Sequence, residues 1–151
     1  MFVPTLEFTK ALTIHAHRGQ LDKAGKPYVY HPLAVAGALI SHGEYAIHAG
    51  LLHDVVEDTP ITLDTLRTLG YPAEVLNAVD SVTRRDNENY FEMIERAAAD
   101  PLGCIVKMAD NRHNFGRLDH LPEPQRAFLH KRYTRAYAIL EAAHEARTTQ
   151  G

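Results

Sequence analysis

Glycines and prolines cut this chain into short blocks. Between them, apolar residues recur at helical spacing and almost never alternate. Leu6, Ala11, Leu12 and Ala16 fall on one helical face, so a helix is expected from about Thr5 to Gly19. Gly25 and Pro27 mark "QLDKAGKPYVY" as a loop. Pro32 suits the first turn of a helix running to about Ser41, stopped by Gly43. The next helix runs from Tyr45 to about Glu57, and Thr59-Pro60 ends it because a residue before proline avoids the helical region. Thr62 can cap a short helix to Gly70, and Pro72 opens another reaching Val82. Further helices cover Asn89–Ala99, Leu102–Arg117 and Glu123–Arg147. "CIVKMAD" has the composition of a buried strand, but the polar run after it and its neighbours favour helix. The expected fold is all-α: a single domain over residues 1–151, a bundle of about six to eight helices.

A length of 151 residues suits one core, and 45% apolar with 23% charged residues is an ordinary globular composition. The formal charge of -3 argues against a general nucleic-acid binder but leaves room for a small phosphorylated ligand at a local basic cluster. The longest apolar run, "PLAVAGALI", is far short of a bilayer span, and no signal peptide is expected. One cysteine, Cys104, excludes an intrachain disulfide and points to a reducing, cytoplasmic setting. It lies in an apolar run that suits a core thiol rather than a nucleophile.

The stretch "GLLHDVVEDTPIT" carries the densest chemistry. On a continuous helix His53 stacks over Glu57 and Asp54 over Asp58, while Leu52, Val55 and Val56 turn inward. A His-Asp pair suits a borderline divalent cation such as Mn²⁺, Fe²⁺, Co²⁺ or Zn²⁺. Two adjacent residues cannot enclose an ion. The best further donors are His31 in "YVYHPLA" and Asp110 in "VKMADNRHN", both in segments apolar enough to be buried. Each residue has an ordinary alternative: "HD" is common by chance, His31 alone suits a cap or a core, and Asp110 alone suits an ion pair with Lys107 or Arg112. The remaining histidines (His15, His17, His42, His48, His113, His120, His130, His144) are assigned surface or packing roles.

Taken together, "HRGQLDKAGKPYVYHPLAVA", "AGLLHDVVEDTPIT" and "IVKMADNRHN" resemble, in order and spacing, the metal-dependent hydrolase domain of the RelA/SpoT-type alarmone enzymes, within the HD superfamily. The resemblance runs from about Leu6 to Ala138. HD alone marks a broad superfamily, whereas HDxxEDT below an upstream GxPYxxHP is much narrower. The resemblance implies an all-helical HD fold with one Mn²⁺ (or another divalent transition metal) and removal of the 3′-pyrophosphate from guanosine tetra- and pentaphosphate. By position, His31, His53, Asp54 and Asp110 would be the ligands. Glu57 and Asp58 would position and deprotonate water. Asn114 and Tyr133 would contact the nucleotide. No synthetase domain fits in the chain, so hydrolysis alone is expected.

Glu57 and Asp58 add negative charge that a pyrophosphate would meet, so cations must face it. Lys23, Lys26, Arg84 and Arg85 are the candidates, Lys23 foremost because it sits in a glycine-containing loop close to His31. The family commonly has Arg-Lys where this chain has Asp22-Lys23, and its arginine packs on the guanine. A carboxylate cannot stack on a purine as a guanidinium does. Weaker guanine preference is therefore expected, with acceptance of adenine alarmones. "RHNFGRL" also shifts Arg117 by a residue. Two rival readings stay open: an HD phosphohydrolase acting on (p)ppApp, NADPH or a nucleoside mono- or triphosphate, and a nucleotide-binding module without turnover. The expected partner is a small-molecule nucleotide, with neither nucleic acid nor membrane.

Overall fold

A computed structural model describes residues 3–149. Among them nine α-helices follow one another: α1 (Leu6–Ala16), α2 (Tyr30–Ala38), α3 (Glu44–Leu52), α4 (Val55–Asp58), α5 (Leu63–Thr68), α6 (Ala73–Val82), α7 (Tyr90–Ala99), α8 (Pro101–Phe115) and α9 (Gln125–Thr149). The only extended pairing among the described residues is an isolated antiparallel bridge between Leu21 and Pro27. The fold is all-α, as expected, and "CIVKMAD" is helical.

Local chemistry sets the helix ends. Thr5 accepts the Phe8 N–H, Thr62 that of Thr65, and Asn89 exchanges side-chain bonds with Glu92 in a capping box. Asp100 accepts from Gly103 ahead of Pro101, so α8 opens with its first donors satisfied. Helix α2 stops at Ala38, short of Ser41, and continues as a 3₁₀ turn over Ile40–His42. Gly43, at φ 98°, then redirects the chain.

Helix α8 is the central rod, packed by α2, α3, α6, α7 and α9. Its Val106 joins Val35, Leu39, Ala46, Ala49 and Ala78 in one apolar cluster, and its Cys104 joins Ile94, Ala97, Ala136 and Leu140 in another. Two glycines let these rods come close. A Cβ on Gly103 would stand 1.9 Å from Ser81 Oγ, and one on Gly50 would stand 2.8 Å from Leu39 Cδ1 and 3.2 Å from Ala36 Cα. The second contact presses α3 onto α2, which brings the segment holding His53 to the segment holding His31. Cys104 is buried and its thiol meets the Leu140 carbonyl, consistent with a core role.

Candidate metal centre

The expected continuous helix from Tyr45 to Glu57 is broken. Helix α3 ends at Leu52, His53 and Asp54 form a turn, and α4 restarts at Val55. The turn keeps backbone order, since the Asp58 N–H still reaches the Asp54 carbonyl at 2.9 Å. Side chains hold the break. Thr13 Oγ1 donates to the Leu51 carbonyl at 2.9 Å, and His53 Nδ1 lies 2.7 Å from the Gly50 carbonyl. These satisfy carbonyls that the helix end leaves unpaired. On an unbroken helix, adjacent residues diverge by about 100°. Both His53 (φ -59°, ψ -30°) and Asp54 (φ -105°, ψ -2°) stay in the right-handed region, and their side-chain tips nevertheless meet, Nε2 to Oδ2, at 3.1 Å.

The four expected donors meet in one place. His31 Nε2 and His53 Nε2 are 3.2 Å apart. Asp54 Oδ2 lies 3.1 Å from His53 Nε2 and 3.7 Å from His31 Nε2. Asp110 Oδ1 lies 2.8 Å from His31 Nε2 and 3.5 Å from His53 Nε2. A divalent ion holding nitrogen and oxygen at about 2.1 Å spaces neighbouring donors about 3.0–3.4 Å apart. Both histidines and Asp110 are buried; one ligand atom each of His31, His53 and Asp54 lies within 4.8 Å of the others, and Asp110 joins this group through the two histidines.

The surrounding groups orient these donors. His53 Nδ1–H donates to the Gly50 carbonyl. Burial works against a charge on the ring, but the Asp54 and Asp110 carboxylates outweigh it and raise its proton affinity well above the usual range, so an ion would have to displace the Nε2 proton. His31 Nδ1 lies 2.7 Å from Nδ1 of His113. Burial first, then His31 and Arg117, pull His113 down to about 4, so it is neutral and can accept. The tautomer with the His31 proton on Nδ1, donated to His113, is the one that would leave Nε2 free as a ligand. Lys107 Nζ donates to Asp110 Oδ2 at 2.8 Å, and Asn114 Nδ2 to Asp110 Oδ1 at 3.0 Å. Burial disfavours the Asp110 carboxylate, but Lys107 and then His53 outweigh it and hold it well below the usual range. The Tyr28 hydroxyl donates to Asp54 Oδ2.

The sequence assigns His113 a surface or packing role, whereas the structure sets it against His31. The available signal was its place one turn after Asp110 on α8. Tyr28, within the quoted "GKPYVYHP", was not singled out. His17 and His48 are buried: His48 with Thr9 (2.8 Å), His17 with Gln20 (2.8 Å).

Glu57 and Asp58 stand nearer the cluster than a helical turn implies. One oxygen of each lies within 4.8 Å of the other and of an Asp54 oxygen. Glu57 Oε1 accepts the Arg84 backbone N–H at 2.8 Å, and the Asp58 carbonyl accepts from Gln20 Nε2 at 2.9 Å. Asp58 is pushed up to about 6, by burial first and then by Asp54 and Glu57. Arg85 is committed elsewhere, to Asp80 and to the Asp80 and Thr83 carbonyls.

Beside the cluster opens a cavity of about 500 Å³, whose lining includes Lys23, Lys26, Tyr28, Asn114, Arg117 and Tyr133. The expected substrate contacts Lys23, Asn114 and Tyr133 thus share one wall system. Asn114 is already bonded to Asp110 and to Arg117. Asp22 also lines it, and the Lys26 N–H first, then the Ala24 N–H and Arg117, hold its carboxyl below the usual range.

Three comparisons bear on this geometry. A GTP pyrophosphokinase of Myxococcus xanthus is 36% identical over 91% of this chain and 20% of its own length. A probable guanosine-3′,5′-bis(diphosphate) 3′-pyrophosphohydrolase of Synechocystis is 40% identical over 79% of this chain and 17% of its own. The chain therefore spans about a fifth of the length of these curated relatives. The solved structure of a metazoan ortholog of SpoT, described as hydrolysing ppGpp, superposes with a TM-score of 0.74 at 25% identity, over 99% of this chain and 98% of that one. The family model for the HD domain matches residues 10–146, the span that contains the broken helix and all four converging donors. By that match this chain belongs to the HD domain family.

Proposed function

We propose that this chain hydrolyses guanosine tetra- and pentaphosphate at the 3′ position, releasing pyrophosphate, with one divalent transition metal, Mn²⁺ foremost. Five contacts of 2.8–3.7 Å among His31, His53, Asp54 and Asp110, beside a cavity lined by their neighbours Tyr28 and Asn114, carry the reading. The names of the relatives and of the solved SpoT ortholog support the substrate. His31, His53, Asp54 and Asp110 would hold the ion. When bound, it supplies Lewis acidity toward a phosphoryl oxygen and toward water.

The chain's own residues do the rest. A water oxygen forms a bond to the phosphorus next to O3′ while the P–O3′ bond breaks. The electron pair of that bond stays on O3′, which takes up a proton to become the 3′-hydroxyl, and pyrophosphate departs. Asp58, raised toward neutrality, is suited to accept the proton of the attacking water, since a base works best with a pKa near the working pH. Glu57, braced by the Arg84 N–H, fixes the orientation of that water. Tyr28 and Lys107 hold Asp54 and Asp110 in place. Lys23 and Lys26 meet the phosphates. Asn114 and Tyr133 line the path of the nucleotide. A cytoplasmic location suits the free, buried Cys104, and no helix among the described residues is long and apolar enough to cross a membrane.

The test is a panel of (p)ppGpp, (p)ppApp, NADPH and deoxynucleotides incubated with Mn²⁺ and resolved for products. Pyrophosphate and a 5′-diphosphate from ppGpp support the reading. Orthophosphate as the sole product would assign another phosphohydrolase, and binding without turnover would assign a sensor.

A further inference from the structure

Helix α8 borders two cavities. Asp110 and Asn114, four residues apart, turn toward the metal cluster and the cavity beside it. Asn111 and Phe115, one position further along, line a separate groove of about 420 Å³ whose other wall is α9, with Tyr133, Thr134 and Tyr137. Tyr133 is the one residue that lines both spaces. The proposed hydrolysis uses nothing else in this groove.

The polar groups of the groove make one kind of demand. Asn111 is 3% exposed, and its Nδ2 has no hydrogen-bond partner. A buried N–H₂ left unanswered is costly, so it calls for an acceptor. Arg112 is exposed at the rim. Its guanidinium stands over the Tyr137 ring, 5.4 Å from the centroid, and reaches no carboxylate among the described residues. A guanidinium over a ring keeps its N–H edge for an anion. None of the described residues lining the groove is acidic. The Thr134 hydroxyl donates to the His130 carbonyl of its own helix at 2.7 Å.

The remaining wall is aromatic. Phe115 is 38% exposed and lies against the His130 ring, 4.6 Å between centroids, while Tyr133 and Tyr137 are half-buried. Such rings pack well on another flat ring. Apolar walls with a few placed polar groups, enclosing about 300–1,000 Å³, are the make-up of small-molecule sites. A polyphosphate would meet one cation and a wall of rings. A single carboxylate matches one guanidinium and one amide.

We infer that this groove binds a small monocarboxylate with a flat aromatic body, its oxygens accepting from Arg112 and from Asn111 Nδ2 and its ring lying among Phe115, Tyr133 and Tyr137. The site stands independently of the hydrolysis reading, since only Tyr133 is common to the two.

The test is calorimetric titration of the full Mn²⁺-loaded chain with 2-naphthoate and with its neutral counterpart 2-naphthamide. Wild type should bind the carboxylate at least about tenfold more tightly, as expected for a hydrogen bond to a charged group. Arg112→Gln, at an exposed position that the fold does not depend on, should bring the ratio to about one. Asn111→Leu should weaken both probes by about threefold or more, because each offers an oxygen to Nδ2. Arg112→Gln decides the matter if Asn111→Leu does not fold. A ratio that survives Arg112→Gln would put the carboxylate on the metal or in the neighbouring cavity, and it overturns the inference. Equal binding of the two probes by wild type, binding of neither, or undiminished binding to a folded Asn111→Leu overturns it too.

Discussion

Two sets of groups beside the cavity are built on different principles. At the metal end the groups are buried, drawn from α2, α8 and the break after α3, and each is held by a second residue: His31 by His113, His53 by the Gly50 carbonyl, Asp54 by Tyr28, Asp110 by Lys107. On the loop before α2 and just past the end of α8 the groups are half-exposed: Asp22 and Arg117 stand 3.7 Å apart, and Arg117 reaches the metal end only through Asn114. Buried polar groups with complete partner sets are costly to alter one at a time. Half-exposed groups on loops are cheap to alter. On the proposed function the buried set would serve catalysis and the half-exposed set selectivity, and substitutions in the two sets should part accordingly.

The largest effect is expected at the ligands. His53→Ala or Asp110→Ala should release the ion and lower turnover by about a thousandfold or more, since Lewis-acid stabilisation amounts to several kcal/mol. Loss of the ion should also lower the melting temperature, because metal binding is linked to folding. Metal content by elemental analysis on the same preparations checks this. Full occupancy in both variants would remove these residues from the site.

Next come Glu57→Gln and Asp58→Asn, each expected to cost on the order of a hundredfold in rate while the ion stays bound. Their oxygens lie within 4.8 Å of an Asp54 oxygen, which makes the metal assay decisive. Ion lost along with activity would make them ligands or ligand supports, and activity retained would leave them as solvated helix-end charges.

Gly50→Ala comes third. Its new Cβ would meet Leu39 Cδ1 at 2.8 Å and Ala36 Cα at 3.2 Å, and only the leucine can give way easily. Overpacking of this kind costs about 1–3 kcal/mol. The separation of α3 from α2 should also weaken metal affinity, read by competition with a chelator. Unchanged affinity would mean that the ligands do not depend on this helix contact.

The smallest effect is a gain. Asp58 is raised to about 6 from 3.8, so the folded carboxyl holds its proton more tightly than the unfolded one. Its contribution to stability therefore falls as pH rises through that window and remains unfavourable above it. In the metal-free protein at pH 7, Asp58→Asn should stabilise by about 1 kcal/mol after allowance for solvent screening, or about 2–4 °C. Below about pH 4 the gain should vanish. No gain at pH 7 would mean that the carboxyl is not under repulsion from Asp54 and Glu57.

The sequence made the metal end legible because its chemistry is local. His53 and Asp54 are adjacent, His31 follows a proline-tyrosine loop, and Asp110 is a lone acid in an apolar run. The break after Leu52 was hidden, since Val55 and Val56 continue the apolar pattern and the signals that stop α3 come from Thr13 and from a histidine ring. His113 was lost among ten histidines, most of which carry no such contact. That Arg117, just past the end of α8, comes within 3.7 Å of Asp22 was not legible, because approaches across such distances in the chain leave no periodic trace.

The broken helix also limits how this chemistry could be moved to another scaffold. Transplanting the "HDVVED" segment as a helix would carry the right letters and point them apart. A working graft would need the hydroxyl of Thr13 to end the first helix, a glycine at position 50 to admit the neighbouring rod, and Arg84 to hold Glu57 from the other side. What appears as a six-letter word is, in engineering terms, a joint with three external fasteners.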